Sequence, residues 1–403
     1  NMINYKKWIA GVFCIVVIFY VFKQDLVHKP YHYCRSLSAN IETVEITIPK
    51  KQFQILDSLR NDVLKNKKVR ATHKRYVKAS LKYNNEISNV KIRLKGDQLD
   101  HYNSNPPSYR VKVVGNKKVL ETNKFSLQSF GARHFMTEWI FLKILEQQDV
   151  LSLRSDVVEL NINNTKTICT FEEHFTYHLT DRFNRAPGPI ICISEDLFWN
   201  HGRLNDSVKY KNEKEIYLNS PIKEFKYYAP LDSNIVKTAK NLLNDFRNKQ
   251  KDVNEVFDVN KLAIHLATSD LTNTHHGLRW HNRRFYYNPL SGRLEPIGFD
   301  GSNWKPLSAF AFDDQFLISL EWSNLFSNKE FVKAYLFHLD RMSKKRFLDQ
   351  FFNQYDHEIN ELENRIYKEN LFHSSDYNFV YINAAWIREN INEYKKRLLM
   401  QLK

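Results

Sequence analysis

The chain has 403 residues, with 60 Lys plus Arg against 45 Asp plus Glu, a formal charge of +15, and 42% apolar and 14% aromatic residues. That composition excludes a disordered or collagen-like chain and supplies enough apolar surface for a large core. The charge comes without an Arg/Lys-rich tract or a nucleic-acid motif, so nucleic acid is not an expected partner.

The four cysteines form no CxxC pair, which excludes a disulfide framework and a Cys-rich zinc site and leaves only a Cys169–Cys192 bridge open. After a short tail, 1–7, the run from Trp8 to Phe22 is apolar throughout, with Lys6 and Lys7 before it and Lys23 after it. It reads as a transmembrane signal anchor, 8–22, with a tether over 23–40. The expected location is the bacterial cytoplasmic membrane, as a single-pass chain whose body is extracytoplasmic.

The body divides into a small β-rich lobe over 41–171, containing one buried helix, and a larger, mostly helical lobe over 172–403. Ile41 to Ile48 alternates as a strand, and Gln52 to Leu64 reads as an amphipathic helix. In Asn89 to Lys95 the apolar Val90, Ile92 and Leu94 alternate with Lys91, Arg93 and Lys95. Tyr109 to Val113 repeats the pattern with Arg110 and Lys112, so each strand carries its basic residues on one face. With Gly96-Asp97-Gln98 and Pro106-Pro107 between them, the two strands form a hairpin whose loop covers a ligand, or else present a solvated basic face.

Ala132 to Gln148 is helical and apolar nearly all round, so it is buried on several sides. Glu138 within it needs a cationic partner, for which Lys112 and Arg110 are the natural candidates. Strands at Val157–Ile162 and Thr167–Phe171 lead to Glu172-Glu173-His174, where the chain passes between lobes, and helices follow from about Lys329.

The most informative stretch runs from Ser269 to Asn303. It parses as a helix end, a loop, Asn282, a strand to Tyr287, a turn at Asn288 to Gly292, a second strand from Arg293 to Ile297, and Asp300. An antiparallel pair brings its far ends together, so Asn282 and Asp300 can converge on one cation. Oxygen ligands of this kind suit Mg²⁺ or Mn²⁺ held with phosphates. His275, His276 and His281 offer an alternative transition-metal site. The order Lys112, Glu138, Asn282, Asp300 resembles a kinase constellation.

Four stretches carry a resemblance to the CotH kinase-like family of spore coat protein H: VKIRLKGD with PSYRVKV, FSLQSF, VVELNINNTKTICTFEEH, and WHNRRFYYNPLSGRLEPIGFDG. The chain looks most like the members associated with surface polysaccharide gene clusters. The resemblance implies an α+β, two-lobed atypical protein-kinase-like fold, here preceded by the transmembrane helix. It also implies ATP with Mg²⁺ or Mn²⁺ as cofactors and phosphate transfer to a hydroxyl of a protein or glycan at the cell surface. Carried over, Asn282 and Asp300 bind metal, Lys112 or Arg110 contacts phosphate with Glu138 as ion-pair partner, and Glu173 lies at the passage between lobes.

One position departs from the pattern. The kinase motif D-x-x-x-x-N expects its catalytic Asp where this chain has Gly277. Asp270 and His276 are the remaining groups able to take the acceptor proton. The alternative is an inactive pseudokinase or scaffold that assists surface polysaccharide or coat assembly, and a third is a glycan-binding module without nucleotide.

Overall fold

The computed structural model describes residues 29–130, 135–202, 213–225, 231–301, 305–313, 323–371 and 377–402. Seven strands form one closed barrel: β1 (Thr43–Thr47), β2 (Val77–Tyr83), β3 (Glu86–Leu94), β4 (Tyr109–Val113), β5 (Lys124–Ser129), β6 (Ser155–Ile162) and β7 (Thr165–Glu173). The barrel order is β1-β2-β3-β4-β5-β7-β6, and it closes because β1 pairs antiparallel with β2 on one side and parallel with β6 on the other. Alternation sends Val44, Ile46, Val90, Ile92, Val111 and Phe125 inward, and all are buried. Helix α1 (Lys50–Asn66) adds Leu56 and Val63 to that interior.

A second, four-stranded antiparallel sheet has the order β11-β10-β8-β9, built from β8 (Ile190–Ile193), β9 (Ile222–Glu224), β10 (Arg284–Asn288) and β11 (Arg293–Ile297). Around it lie α2 (Phe135–Gln147), α3 (Ser233–Arg247), α4 (Val259–Thr272), α5 (Lys329–Ser343), α6 (Lys345–Ile366) and α7 (Asn378–Gln401). The α2 helix falls between two barrel strands in sequence, yet its Phe141, Ile144 and Leu145 belong to the helical core. Its all-round apolar surface follows from that position. Helix α4 is buried along almost its whole length, starts at the Asp258 side-chain cap on Lys261 N–H, and stops at Asn273, whose φ is 51°.

The structure corrects the expected two-lobed kinase-like fold behind a transmembrane helix. The strands before residue 174 close into a seven-stranded barrel, and among the described residues no helix is long and apolar enough to cross a membrane. The apolar run 8–22 lies outside the described residues. Alternating hydropathy locates strands, whereas closure depends on the parallel β1–β6 pairing, which no local pattern encodes. Within the expected tether, 29–37 is helical, and Arg35 anchors it through Glu363 (3.1 Å) and Asn364 (2.7 Å). Cys169 and Cys192 are both free and buried.

Candidate functional site

A cleft of about 640 Å³ lies between the outer face of β3 and β4 with the loop that follows β3, and the ends of β8, β9 and the β10–β11 hairpin. On its hairpin side stand Asn282, at the entrance to β10, and Asp300, just beyond β11. Their strands are held in register by Arg284 opposite Ile297. His276 ties the two together. Its carbonyl accepts from Asn282 Nδ2 at 3.0 Å, and its Nε2 lies 3.1 Å from Asp300 Oδ2. The Asn282 amide is 6% exposed, and its Oδ1 accepts no hydrogen bond among the described residues.

Local backbone explains this convergence. Asp300 has φ 58°, a left-handed conformation, and its carboxylate meets His276 beside the hairpin entrance. Gly277 sits directly against that turn: a Cβ there would approach the Phe299 carbonyl oxygen to 2.5 Å. The expected catalytic position therefore has no room for an Asp side chain. Gly301 meets α2 in the same way, with a built Cβ 2.3 Å from Phe141 Cδ1.

The barrel side of the cleft is cationic. Arg93, Lys95 and Arg110 project from it, as period-two alternation requires. Lys95 Nζ lies 2.9 Å from Glu172 Oε1, and Arg110 Nη2 lies 3.8 Å from the same oxygen. Ser126 Oγ and Gln128 Nε2 also donate to this carboxylate, each at 3.1 Å, so Glu172 is buried and fully engaged. Two cations against one carboxylate leave net positive charge on this wall. It suppresses protonation of His174, whose pKa is pushed well down by burial and then by Arg110, Lys124, Lys95 and Arg93. Further along the same face, burial and the neighbouring Arg110, Arg93 and Lys112 lower the Lys124 ammonium to about 7.

Between these walls lie Phe175, Phe225 and Phe299, packed against one another. The Arg284 guanidinium lies over all three rings, at 5.6, 5.8 and 5.4 Å from their centroids. His281 stacks on Phe198 with centroids 4.3 Å apart, and burial lowers its pKa well below the usual imidazole range. Burial raises the carboxyl pKa of Glu195, against the opposing pull of Arg284, while its Oε2 accepts from Trp199 Nε1 at 3.1 Å.

Of the residues expected from sequence, the cleft gathers Asn282, Asp300, His276 and Arg110. Lys112 shares a strand face with Arg110 but is exposed and does not line the cleft. Glu138 is buried within α2 and does not line it either; the carboxylate that meets the strand cations is Glu172. Glu173 points the other way and fastens the end of β7 by accepting from Arg154 N–H and Arg182 Nη2, both at 3.1 Å. Asp270 is fully buried, accepting from His275 Nε2 and Ala311 N–H at 2.8 Å and from the Tyr335 hydroxyl. It is a core hub outside the cleft.

Sequence reasoning missed Lys95, Glu172, His174 and Arg284. Lys95 continues the alternation of β3 by one residue, and Glu172 shares its β7 face with Thr170 opposite Gln128, so strand register carries both. For a divalent cation, Asn282 and Asp300 supply two hard oxygen donors. Among the described residues no three His, Cys, Asp or Glu side chains form a metal cage, so a cation here would share its coordination with ligand oxygens. The three histidines do not make the alternative site: His275 is turned to Asp270, His276 to Asp300, and His281 to Phe198. No protein-family model and no curated protein matches this chain.

Proposed function

We propose that this cleft binds a nucleoside triphosphate such as ATP with Mg²⁺ or Mn²⁺ and transfers the terminal phosphoryl group to a hydroxyl of a protein or glycan. The observation that carries this reading is the opposition of an Asn282–Asp300 oxygen pair to a wall bearing Arg93, Lys95 and Arg110. A polyphosphate with a divalent cation is the ligand whose charges match both walls. The cation, when bound, would neutralise phosphate charge and orient it.

In the transfer the bond between the terminal phosphorus and its bridging oxygen breaks, the acceptor oxygen forms the new bond, and the acceptor proton leaves. Lys95 and Arg110 counter the charge of the phosphates, and Glu172 fixes the Lys95 ammonium in place. His276 lines the cleft, half exposed, and is the group of the two expected from sequence that is placed to accept a proton. The resemblance to the CotH kinase-like family, carried by the motifs quoted above, suggests the acceptor class and points to surface polysaccharide machinery as partner.

A second reading is binding without transfer, in a catalytically inactive scaffold. Gly277 favours it, since the backbone contact at Phe299 keeps a carboxylate out of the usual catalytic position. Labelled-phosphate transfer from ATP with Mg²⁺ or Mn²⁺, alongside thermal stability, separates the two for wild type and Asp300→Ala. The transferase reading expects stabilisation and transfer, both lost in the variant. Stabilisation without transfer identifies the scaffold, and no response to nucleotide removes both readings.

A further inference from the structure

The register of the barrel strands sets four lysines side by side. Lys78 of β2 is opposite Lys91 of β3, Lys91 is opposite Lys112 of β4, and Lys112 is opposite Lys124 of β5. Successive Cα atoms in such a row are about 5 Å apart. Lys78, Lys91 and Lys112 are exposed, Lys124 is half-buried, and none of the four lines the cleft. Elsewhere the barrel balances its outward cations: Lys82, on the same face of β2, meets Glu45 of β1 at 3.1 Å. No carboxylate pairs with any member of the row among the described residues. Like charges directly opposite each other destabilise a sheet, so three opposed pairs in succession weaken the barrel until an anion covers them. The repulsion registers at Lys124, whose ammonium is lowered to about 7 by burial and then by Arg110, Arg93 and Lys112.

We propose that this lysine row is a docking surface for a flexible carboxylated polysaccharide, a uronic-acid polymer in chemical class. The row crosses four neighbouring strands of a closed barrel, so it winds round a convex wall. A stiff nucleic-acid duplex or a flat membrane touches only part of such a row, whereas a flexible chain follows it. Single-stranded nucleic acid binds by stacking on open rings, but the Tyr76 ring beside the row lies under the Arg93 guanidinium, 5.4 Å from its centroid. A peptide that adds as a strand needs an open sheet edge, which the closed barrel lacks. A uronic-acid chain meets the ammonium groups with carboxylates and the flanking Ser80 and Asn89 with hydroxyls. The inference goes beyond the phosphotransferase reading because it lies outside the cleft and requires neither nucleotide nor transfer.

The test is calorimetric titration of the full chain with polygalacturonate in EDTA, without nucleotide. Wild type is expected to bind saturably and more weakly as salt rises. Lys91→Gln combined with Lys112→Gln is expected to bind about tenfold more weakly or worse, and Asp300→Ala to bind like wild type. Lys112→Glu places a carboxylate between Lys91 and Lys124, so it is expected to raise the melting temperature while abolishing binding. Absence of saturable binding to wild type, equal binding of uncharged dextran, or unchanged affinity in either variant overturns the proposal. A lower melting temperature in Lys112→Glu overturns its premise that the row is under repulsion. Tighter binding of single-stranded oligothymidylate at equal charge overturns the assignment to a glycan. Failure here leaves the Asp300-dependent, metal-dependent response to nucleotide intact, so the two readings fail separately.

Discussion

The His276 imidazole and the Asp300 carboxylate meet at 3.1 Å, while the His276 carbonyl holds the Asn282 amide. One residue thus orients both proposed metal ligands, and its side chain is also the proposed proton acceptor. His276→Ala is expected to lower transfer by about 100-fold or more and to weaken metal-dependent nucleotide binding far less than Asp300→Ala, because the Asn282 bond to the backbone carbonyl and the Asp300 carboxylate both remain. Single-turnover transfer together with equilibrium binding checks this. Wild-type transfer rates in the variant would remove His276 from the chemistry.

Asp270 is predicted to act through stability alone. Asp270→Asn disturbs its bonds to His275, Ala311 and Tyr335 and should cost about 2–3 kcal/mol in chemical denaturation. The folded fraction should keep its nucleotide affinity. A stable variant that has lost transfer would instead make Asp270 the base.

Gly277 is held by a steric contact, so Gly277→Ala should destabilise by about 1–3 kcal/mol as the Phe299 turn is displaced. Gly277→Asp should be worse and should not raise transfer. Gain of transfer in Gly277→Asp would mean that the loop opens to accommodate a carboxylate.

The Lys95–Glu172 pair is buried, with side chains 9% and 5% exposed. Glu172→Ala leaves Lys95 and Arg110 facing each other and is expected to cost about 3–5 kcal/mol. Replacing both partners, Lys95→Met with Glu172→Leu, should cost less than the sum of the single changes. A double-mutant cycle by urea denaturation reads this coupling, and simple additivity would contradict the arrangement.

Lys124 supplies a pH dependence. Its folded-state pKa, lowered to about 7 by burial and neighbouring cations, lies below the unfolded value for lysine. Below pH 7 both states hold the proton and the folded state bears the full cost of a half-buried ammonium among other cations. As pH rises above 7 the folded state releases the proton first, so stability rises with pH toward the unfolded pKa. Lys124→Met should therefore stabilise most at pH 6 and progressively less at pH 8 and 9. An equal effect across that range would show that Lys124 is solvated.

How much the sequence discloses depends on the range of the interaction. The strands at Val90–Leu94 and Tyr109–Val113, the helix at Gln52–Leu64 and the Arg284–Ile297 hairpin are visible because each is set by local alternation or a turn. The convergence of Asn282 and Asp300 follows from hairpin geometry in the same way. Barrel closure was not legible, since β1 pairs with β6 across most of the barrel sequence. Neither was the counter-ion of the strand cations: Glu172 and Glu173 are adjacent, and only the register of β7 against β5 decides which of them faces Lys95. Asp270 illustrates a third limit. An acidic residue near the end of an apolar helix reads as functional until its partners, Ala311 and Tyr335, arrive from distant segments.

The most direct test is the ATP dissociation constant measured with Mg²⁺ and in EDTA, for the full chain and for Asp300→Ala. The proposed site predicts that Mg²⁺ tightens ATP binding about tenfold or more in wild type and has no effect in Asp300→Ala. Equal affinity with and without Mg²⁺ in wild type, or a metal effect that persists in Asp300→Ala, would contradict a divalent-cation site at Asn282 and Asp300.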